Sequence, residues 1–354
     1  MLVIMHHLIA NTTNHLGYVC YGNFFNFGFI GVDFFFVLSG FIITYIHFED
    51  LHSPSGNSIK NFFKKRFLRI YPIYWIIALV TFLIYLKSTP WFLKDAGLKM
   101  DLTSPVILKF LAESFLLIPN ENMRLVGVAW TLSYEILFYL VFGLSIIYGF
   151  KFAKIIALIW ILLVVSYNVM SPLKTEYLSF LFNVIVLEFL FGCVVAYLIR
   201  KNVKISYLIL LPALIVLFIL LLMNIEIDGL VFKRDLTNVT LMGLFFATLT
   251  YMAVEFDKTN IIKYPAVLVL IGDASYSIYL SHNMFLSALT KLYGKLNPNY
   301  GTTGYMALVA TIIFLTVIFL GVLIHLFIEK KMLKFLNFKY MDKRKSPVLE
   351  HLAA

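Results

Sequence analysis

Charge is what this chain is short of. Asp, Glu, Lys and Arg make up 14% of its 354 residues, against 61% hydrophobic ones. Soluble domains are roughly a quarter charged and about half apolar, so a water-soluble globular fold is excluded. Cysteine is nearly absent too. Cys20 and Cys193 lie in apolar surroundings, spell no metal motif and build no disulfide framework; they are expected to be buried structural thiols. There is no HExxH and no His/Asp set at metal spacing, which argues against a metalloenzyme or intramembrane metalloprotease. No linker or low-complexity tract divides the chain, and no basic segment with a small-residue cleavage site marks a cleavable signal peptide.

What the chain has in abundance is apolar runs. They fall at about 1–10, 22–47, 70–86, 127–149, 152–170, 178–199, 205–223, 237–254, 264–288 and 303–328. Many approach or exceed the roughly 20 residues needed to cross a bilayer. The expected fold is an all-α polytopic membrane protein, with about ten transmembrane helices in one bundle over 1–328 and a short basic tail at 329–354. The segment PVILKFLAESFLLIP, 105–119, is shorter and broken by Lys109 and Glu113; it is expected to be interfacial or re-entrant. After 328 too little chain follows for a soluble catalytic domain, so any chemistry belongs to the bundle.

The net charge of +10 would raise a nucleic-acid question on a soluble chain. Here cationic cytoplasmic loops explain it. If the first span runs from inside to outside, 19 of the 29 Lys and Arg fall on the inner side and 10 outside. That bias places both termini in the cytoplasm of a cell's inner (plasma) membrane, with the bilayer rather than nucleic acid as partner.

Ionisable residues within the spans are few: His6, His7, Asp33, Glu135, Glu188, Asp273 and His282. A charge at membrane depth costs about 3 kcal/mol or more, so each is a site candidate; the competing role for each is a helix–helix hydrogen bond. Four stretches gather them. GVDFFFVLSGFII, 31–43, sets Asp33 mid-helix, where it needs a cation or donor, between Gly31 and Gly40, which permit close helix approach. NFFKKRFLRIYPIYW, 61–75, puts Lys65, Arg66 and Arg69 on one helix face, suited to gripping phosphate or to anchoring against anionic lipid. VAWTLSYEILFYL, 128–140, carries Trp130, Ser133, Glu135 and Tyr139, with Glu135 and Tyr139 one turn apart. IGDASYSIYLSHNMF, 271–285, lines up Ser275, Tyr279 and His282 on a stripe that is not expected to face lipid. Glu188 is expected to be a buried hydrogen-bonding partner, and Asp273 a cap of the helix that begins at SYSIYL.

Together, in order along essentially the whole chain, these stretches resemble the acyltransferase 3 family of integral membrane acyltransferases, which acylate cell-surface glycans. GVDFFFVLSGFII is similar to its second-helix signature and FFKKRFLRIYPIY to its basic motif. WTLSYEILFY is similar to its tryptophan–glutamate motif, and GDASYSIYLSH to its late serine–tyrosine–histidine motif. The exopolysaccharide-modifying, stand-alone type is the nearest in pattern. The resemblance implies acetyl-coenzyme A, or another short acyl-CoA, as cytoplasmic donor, held by Arg66 and Arg69 with Lys65 adding charge. It implies a glycan hydroxyl as acceptor and a first-helix histidine, His7 with His6 as close alternative, as general base or as acyl-accepting nucleophile. Asp33 or Glu135 would orient that histidine or bind sugar. Ser39, Trp130, Ser133, Tyr139, Ser275, Tyr279 and His282 are candidates for substrate and oxyanion contacts, His282 having a structural role as its alternative. In the family a basic residue precedes the histidine further upstream. Here that position lies before Met1, and a run of about ten residues cannot cross ~30 Å of hydrocarbon, so the first helix is expected to be truncated at its N-terminus. A multi-pass transporter or flippase of lipid-linked sugars, without acyl transfer, is the alternative that ten spans and buried charges also allow.

Overall fold

In the computed structural model the described residues are 1–53, 55–119, 124–170, 175–224, 234–259, 264–297 and 303–336. They form helices and no strand, and the chain is an all-α polytopic membrane protein. The first helix, α1 (Leu2–Leu16), ends at Gly17, whose positive φ of 61° lets its N–H reach Thr13 O, a left-handed C-terminal cap. It is longer than its apolar run because Asn11 and Thr12 are buried and satisfied inside the bundle. Asn11 donates to His7 O and to Asn283 Oδ1, and Thr12 to Ile9 O.

α2 (Ile30–Ile46) follows two short 3₁₀ turns. α3 (Gly56–Lys87) is 32 residues long, and Ser55 caps it by accepting the Ser58 N–H. The whole basic stretch therefore lies on one helix that emerges from the apolar layer, instead of in a loop beside it. α4 (Pro105–Leu116) is the short element expected to be interfacial or re-entrant. It is held by Trp75, whose indole N–H donates to Phe115 O, and by Tyr71 and Tyr74, whose hydroxyls donate to Leu116 O and Ser114 O. Then come α5 (Trp130–Tyr148), α6 (Phe150–Met170), α7 (Val186–Arg200), α8 (Tyr207–Met223) and α9 (Leu236–Asp257). The ninth apolar run is broken at Ala274 into α10 (Ala266–Asp273) and α11 (Ser275–Leu296), so Asp273 ends one helix and Ala274 holds the cap position of the next. α12 (Thr303–Ile324) passes through a π-helical turn, His325–Glu329, into α13 (Lys330–Phe335).

Seven helical segments among the described residues are long and apolar enough to cross a membrane, and Tyr207–Met223 is a shorter apolar helix. α1 and the α10–α11 pair occupy the other two expected runs. The centre is α2 against α7. A Cβ on Gly40 would lie 2.0 Å from Phe189 O, and one on Gly192 would lie 2.0 Å from Val37 O. The two backbones touch reciprocally, as small residues allow within membranes. α5 covers this pair through Phe138, whose ring stacks on Phe189 at 4.6 Å, while α6 and α8 turn most of their leucines and isoleucines outward, where lipid covers them.

Candidate active site

The polar side chains separate into three clusters, two toward opposite ends of the bundle and one between. The middle one is built by α1 and α11. His7 lies with its ring 5.0 Å from that of His282, and His282 Nε2 is 3.2 Å from His7 Nδ1. His7 Nδ1 also lies 2.9 Å from Val3 O, and His282 Nδ1 lies 2.5 Å from Tyr279 O. A carbonyl only accepts, so each Nδ1 carries the proton, and the second nitrogen of each ring is the acceptor. His282 Nε2 thereby receives the Nδ1–H of His7, and His7 Nε2 is left without a partner among the described residues. His6 points elsewhere on the same helix: its Nδ1 donates to Asn26 O at 2.8 Å, and its ring meets Phe29 at 5.9 Å. Tyr279, one turn before His282, exchanges a 2.9 Å hydrogen bond with Thr131 and stacks on Phe35. Of the expected stripe, Ser275 is exposed and takes no part; the buried serine there is Ser277.

The second cluster is basic and lies where α2 ends and α3 begins. Arg66 is 5% exposed, with its guanidinium over the rings of Phe62 and Tyr139 at 5.8 and 5.7 Å, and its Nε has no partner. Arg66 and Arg69 act electrostatically on Glu135, which accepts from the Tyr139 hydroxyl and, at 3.5 Å, from Ser39. Glu135 and Tyr139 thus share a site as their spacing predicted, and it is the arginines' site rather than the histidines'. Lys65 is exposed, adding charge at the rim. Sequence reasoning passed over His47. Its ring packs edge-on against Phe62 at 5.1 Å, its Nδ1 is bonded to Asp50 at 2.7 Å, and its buried Nε2 has no partner. Burial raises the Asp50 carboxyl, but the Ser58 and His47 hydrogen bonds outweigh that and hold it below the usual carboxylate range. The i,i+3 pairing of His47 and Asp50 was the signal available.

The third cluster is at the opposite end. Asp33 is the fourth residue of α2, one turn in rather than mid-helix, because residues 22–29 form 3₁₀ turns. It is fully buried and pairs with Arg234, 3.4 Å away and 201 residues later in the chain. Glu188 faces Asp33, the two carboxyl groups pairing with each other, and no other donor among the described residues reaches either Glu188 oxygen or Asp33 Oδ1. The Arg234 guanidinium lies over Trp130 at 5.0 Å and Phe29 at 5.7 Å. Ser133 is turned toward α4, donating to Leu117 O and accepting from Arg124. Arg124 and Arg234 were missed. They are the arginines among the ten basic residues on the face assigned as outer, and an arginine on that face was itself the signal. Among the described residues no group of three His, Cys, Asp or Glu is placed to hold a metal ion.

A fourth buried group closes the basic end: Glu329 accepts from Ser277 Oγ and from His325 Nδ1, both at 2.7 Å. His325 and Glu329 bound the π-helical turn, a distortion that often accompanies function.

A family model described as an acyltransferase domain, Acyl_transf_3, matches residues 1–326. The "Exopolysaccharide production protein ExoZ" of Rhizobium meliloti (strain 1021) is 27% identical over 277 residues, 76% of this chain and 80% of that protein. The "O-acetyltransferase OatA" of Staphylococcus aureus (strain NCTC 8325 / PS 47) is 23% identical over 292 residues, 75% of this chain but 47% of that longer protein. An uncharacterized protein of Haemophilus influenzae is 30% identical over 157 residues, 42% of this chain and 60% of its own length. No solved structure matches the chain. With the family model matched over nearly its full length, on top of the paired histidines and the buried arginine, the chain belongs to the Acyl_transf_3 family and is a membrane acyltransferase.

Proposed function

We propose that the chain transfers an acetyl or other short acyl group from acyl-CoA to a hydroxyl of a cell-surface or lipid-linked glycan, with His7 as the general base. The names of the two relatives, an exopolysaccharide production protein and an O-acetyltransferase, support the acceptor class and the ester product. The observation that carries the mechanism is the His7–His282 pair. With Nδ1–H held by Val3 O and His282 Nε2, His7 offers Nε2 alone to a reacting group. When Nε2 takes the hydroxyl proton, the imidazolium remains hydrogen-bonded on its other nitrogen, which is how a positioned histidine is kept in one tautomer and orientation. The sugar oxygen then attacks the thioester carbonyl, the carbon–sulfur bond breaks, and His7 returns its proton to the departing thiolate. Protons balance, and no group beyond donor and acceptor is needed.

The donor's phosphates fit the basic cluster. The buried Arg66 Nε, packed on Phe62 and without a partner among the described residues, is a donor awaiting an acceptor. Arg69 and Lys65 add positive charge there, and Glu135 with Tyr139 fixes the arginines in place. Under the charge-based orientation this end faces the cytoplasm, where acyl-CoA is made, and the Asp33–Arg234 end faces outward, so donor and acceptor approach from opposite sides. His7→Ala is expected to abolish transfer to a glycan acceptor while coenzyme A binding is kept. Full activity in both His7→Ala and His6→Ala would discard this mechanism.

A further inference from the structure

Between α5, α6, the segment that leads into α7 and Arg234 lies a cavity of about 460 Å³, within the range of small-molecule sites. It opens at the end of the bundle away from the basic cluster. Its lining joins aromatic faces to hydrogen-bonding groups: Trp130 and Tyr134 beside Tyr167, Ser179, Asn183 and Arg234. The polar groups are arranged in pairs that keep capacity in reserve. Tyr167 shares a 2.8 Å hydrogen bond with Ser179, and Asn183 accepts the Ile185 N–H through Oδ1 while its amide nitrogen donates toward Tyr134. Each hydroxyl still has a lone pair to offer. The Arg234 Nε is buried and has no partner, an uncommon state that calls for a ligand.

Two contact paths join the cavity to the histidines. One runs from Arg234 to Phe29, His6 and His7; Arg234 and Phe29 are 5.7 Å apart, and the His6 and His7 rings 5.3 Å apart. The other runs from Thr131, next to Trp130, through Tyr279 and His282 to His7. The charges narrow the ligand. Arg234 is the cation of the lining, and its charge is already met by Asp33 at 3.4 Å with Glu188 behind it. Arg124, whose field also reaches Tyr134, is engaged with Ser133. Among the described residues no cation is left over for a carboxylate, while aromatic faces and neutral hydroxyl and amide groups remain.

We propose that this cavity is a subsite of the acceptor glycan, holding a sugar next to the one whose hydroxyl reaches His7, and that it takes the ring of an uncharged sugar, a neutral hexose or N-acetylhexosamine, in preference to a uronate. The inference rests on the acyl-transfer function and specifies its acceptor. The sugar ring lies against Trp130 and Tyr134, Arg234 Nε donates to a ring or hydroxyl oxygen, and the Ser179–Tyr167 pair reads a further hydroxyl.

The test uses the full chain in lipid nanodiscs and equilibrium binding of a probe panel: the methyl glycosides of glucose, galactose, mannose and N-acetylglucosamine, and methyl glucuronide. At least one neutral glycoside is expected to bind. Tyr167→Phe and Ser179→Ala are each expected to weaken it by about fivefold, the loss of one neutral hydrogen bond, with coenzyme A binding unchanged as the control for folding. Binding of the glucuronide alone, binding of none of the panel, or neutral-sugar binding that both variants leave untouched overturns the proposal. A wild-type chain that binds a neutral glycoside but transfers no acyl group from acetyl-CoA would instead refute the acyl-transfer reading and leave the sugar site standing.

Discussion

Replacing Arg234 by Gln removes a cation paired with buried Asp33, beside which Glu188 is also buried. Asp33 and Glu188 are both 0% exposed, and the Arg234 side chain is 27% exposed. At the 3.4 Å separation of Arg234 and Asp33, Coulomb's law with an effective dielectric of about 20 gives an attraction of about 5 kcal/mol. The guanidinium's contact with Trp130 adds about 1 kcal/mol. Part of this is regained as water reaches the vacated space, and breaking a buried pair generally costs about 3–5 kcal/mol; Arg234→Gln is placed in that window. Glu188→Gln runs the other way. Its new amide N–H takes the place of the Glu188 carboxyl against Asp33, and one hydrogen bond contributes about 1 kcal/mol. Glu188→Gln alone is therefore expected to be neutral or slightly stabilising, and in the Arg234→Gln background to restore about 1–2 kcal/mol. Equilibrium unfolding in mixed dodecylmaltoside–SDS micelles, followed by circular dichroism, measures all three variants. Arg234→Gln within 1 kcal/mol of wild type, or Glu188→Gln more damaging than Arg234→Gln, would refute the charge assignment.

Three further outcomes are expected. Gly192→Leu, which drives a side chain into Val37 O, where even a Cβ would lie at 2.0 Å, should destabilise the bundle by more than about 3 kcal/mol; a thermal-shift assay that finds wild-type stability contradicts the α2–α7 contact. Arg66→Ala should weaken coenzyme A binding by about tenfold or more, as loss of a charge-assisted hydrogen bond does. Calorimetric titration giving unchanged affinity in Arg66→Ala removes the phosphate assignment. Ser277→Ala should lower stability by about 1 kcal/mol by leaving Glu329 with His325 as its remaining partner among the described residues, and a neutral result would mean that water replaces the serine.

Much of the fold was legible because hydropathy is a strong signal in a membrane chain: every apolar run became a helix, and PVILKFLAESFLLIP became the short element it resembled. The boundaries moved where polar residues are paid for by partners that a one-dimensional pattern does not show. α1 continues through Asn11 and Thr12 because Asn283, Cys20 and backbone carbonyls receive their donors. α3 begins at Gly56 because lysines and arginines are good helix formers once outside the apolar layer. Among the candidate site residues, the motifs singled out His7, His282, Arg66, Glu135 and Tyr139, residues whose partners lie one turn away or in a neighbouring motif. They did not locate Arg234 or His47. Arg234 precedes an aspartate in a connection that reads as solvated, and its partner is 201 residues distant. Asp33 announced the need for a cation, but the chain's folding, not its local pattern, chose which one. Ser275 failed for the opposite reason: the break at Ala274 rotates it outward and brings Ser277 in.

The central claim is that His7, with Nε2 as its working nitrogen, moves the proton in acyl transfer. The most direct measurement is the rate of acetyl transfer from acetyl-CoA to a glycan acceptor by His7→Gln, with coenzyme A affinity measured on the same preparation. A fall of at least about 100-fold in kcat with coenzyme A affinity unchanged is expected, with His6→Gln retaining most of its activity. Wild-type turnover in His7→Gln, or its loss in His6→Gln alone, would contradict it.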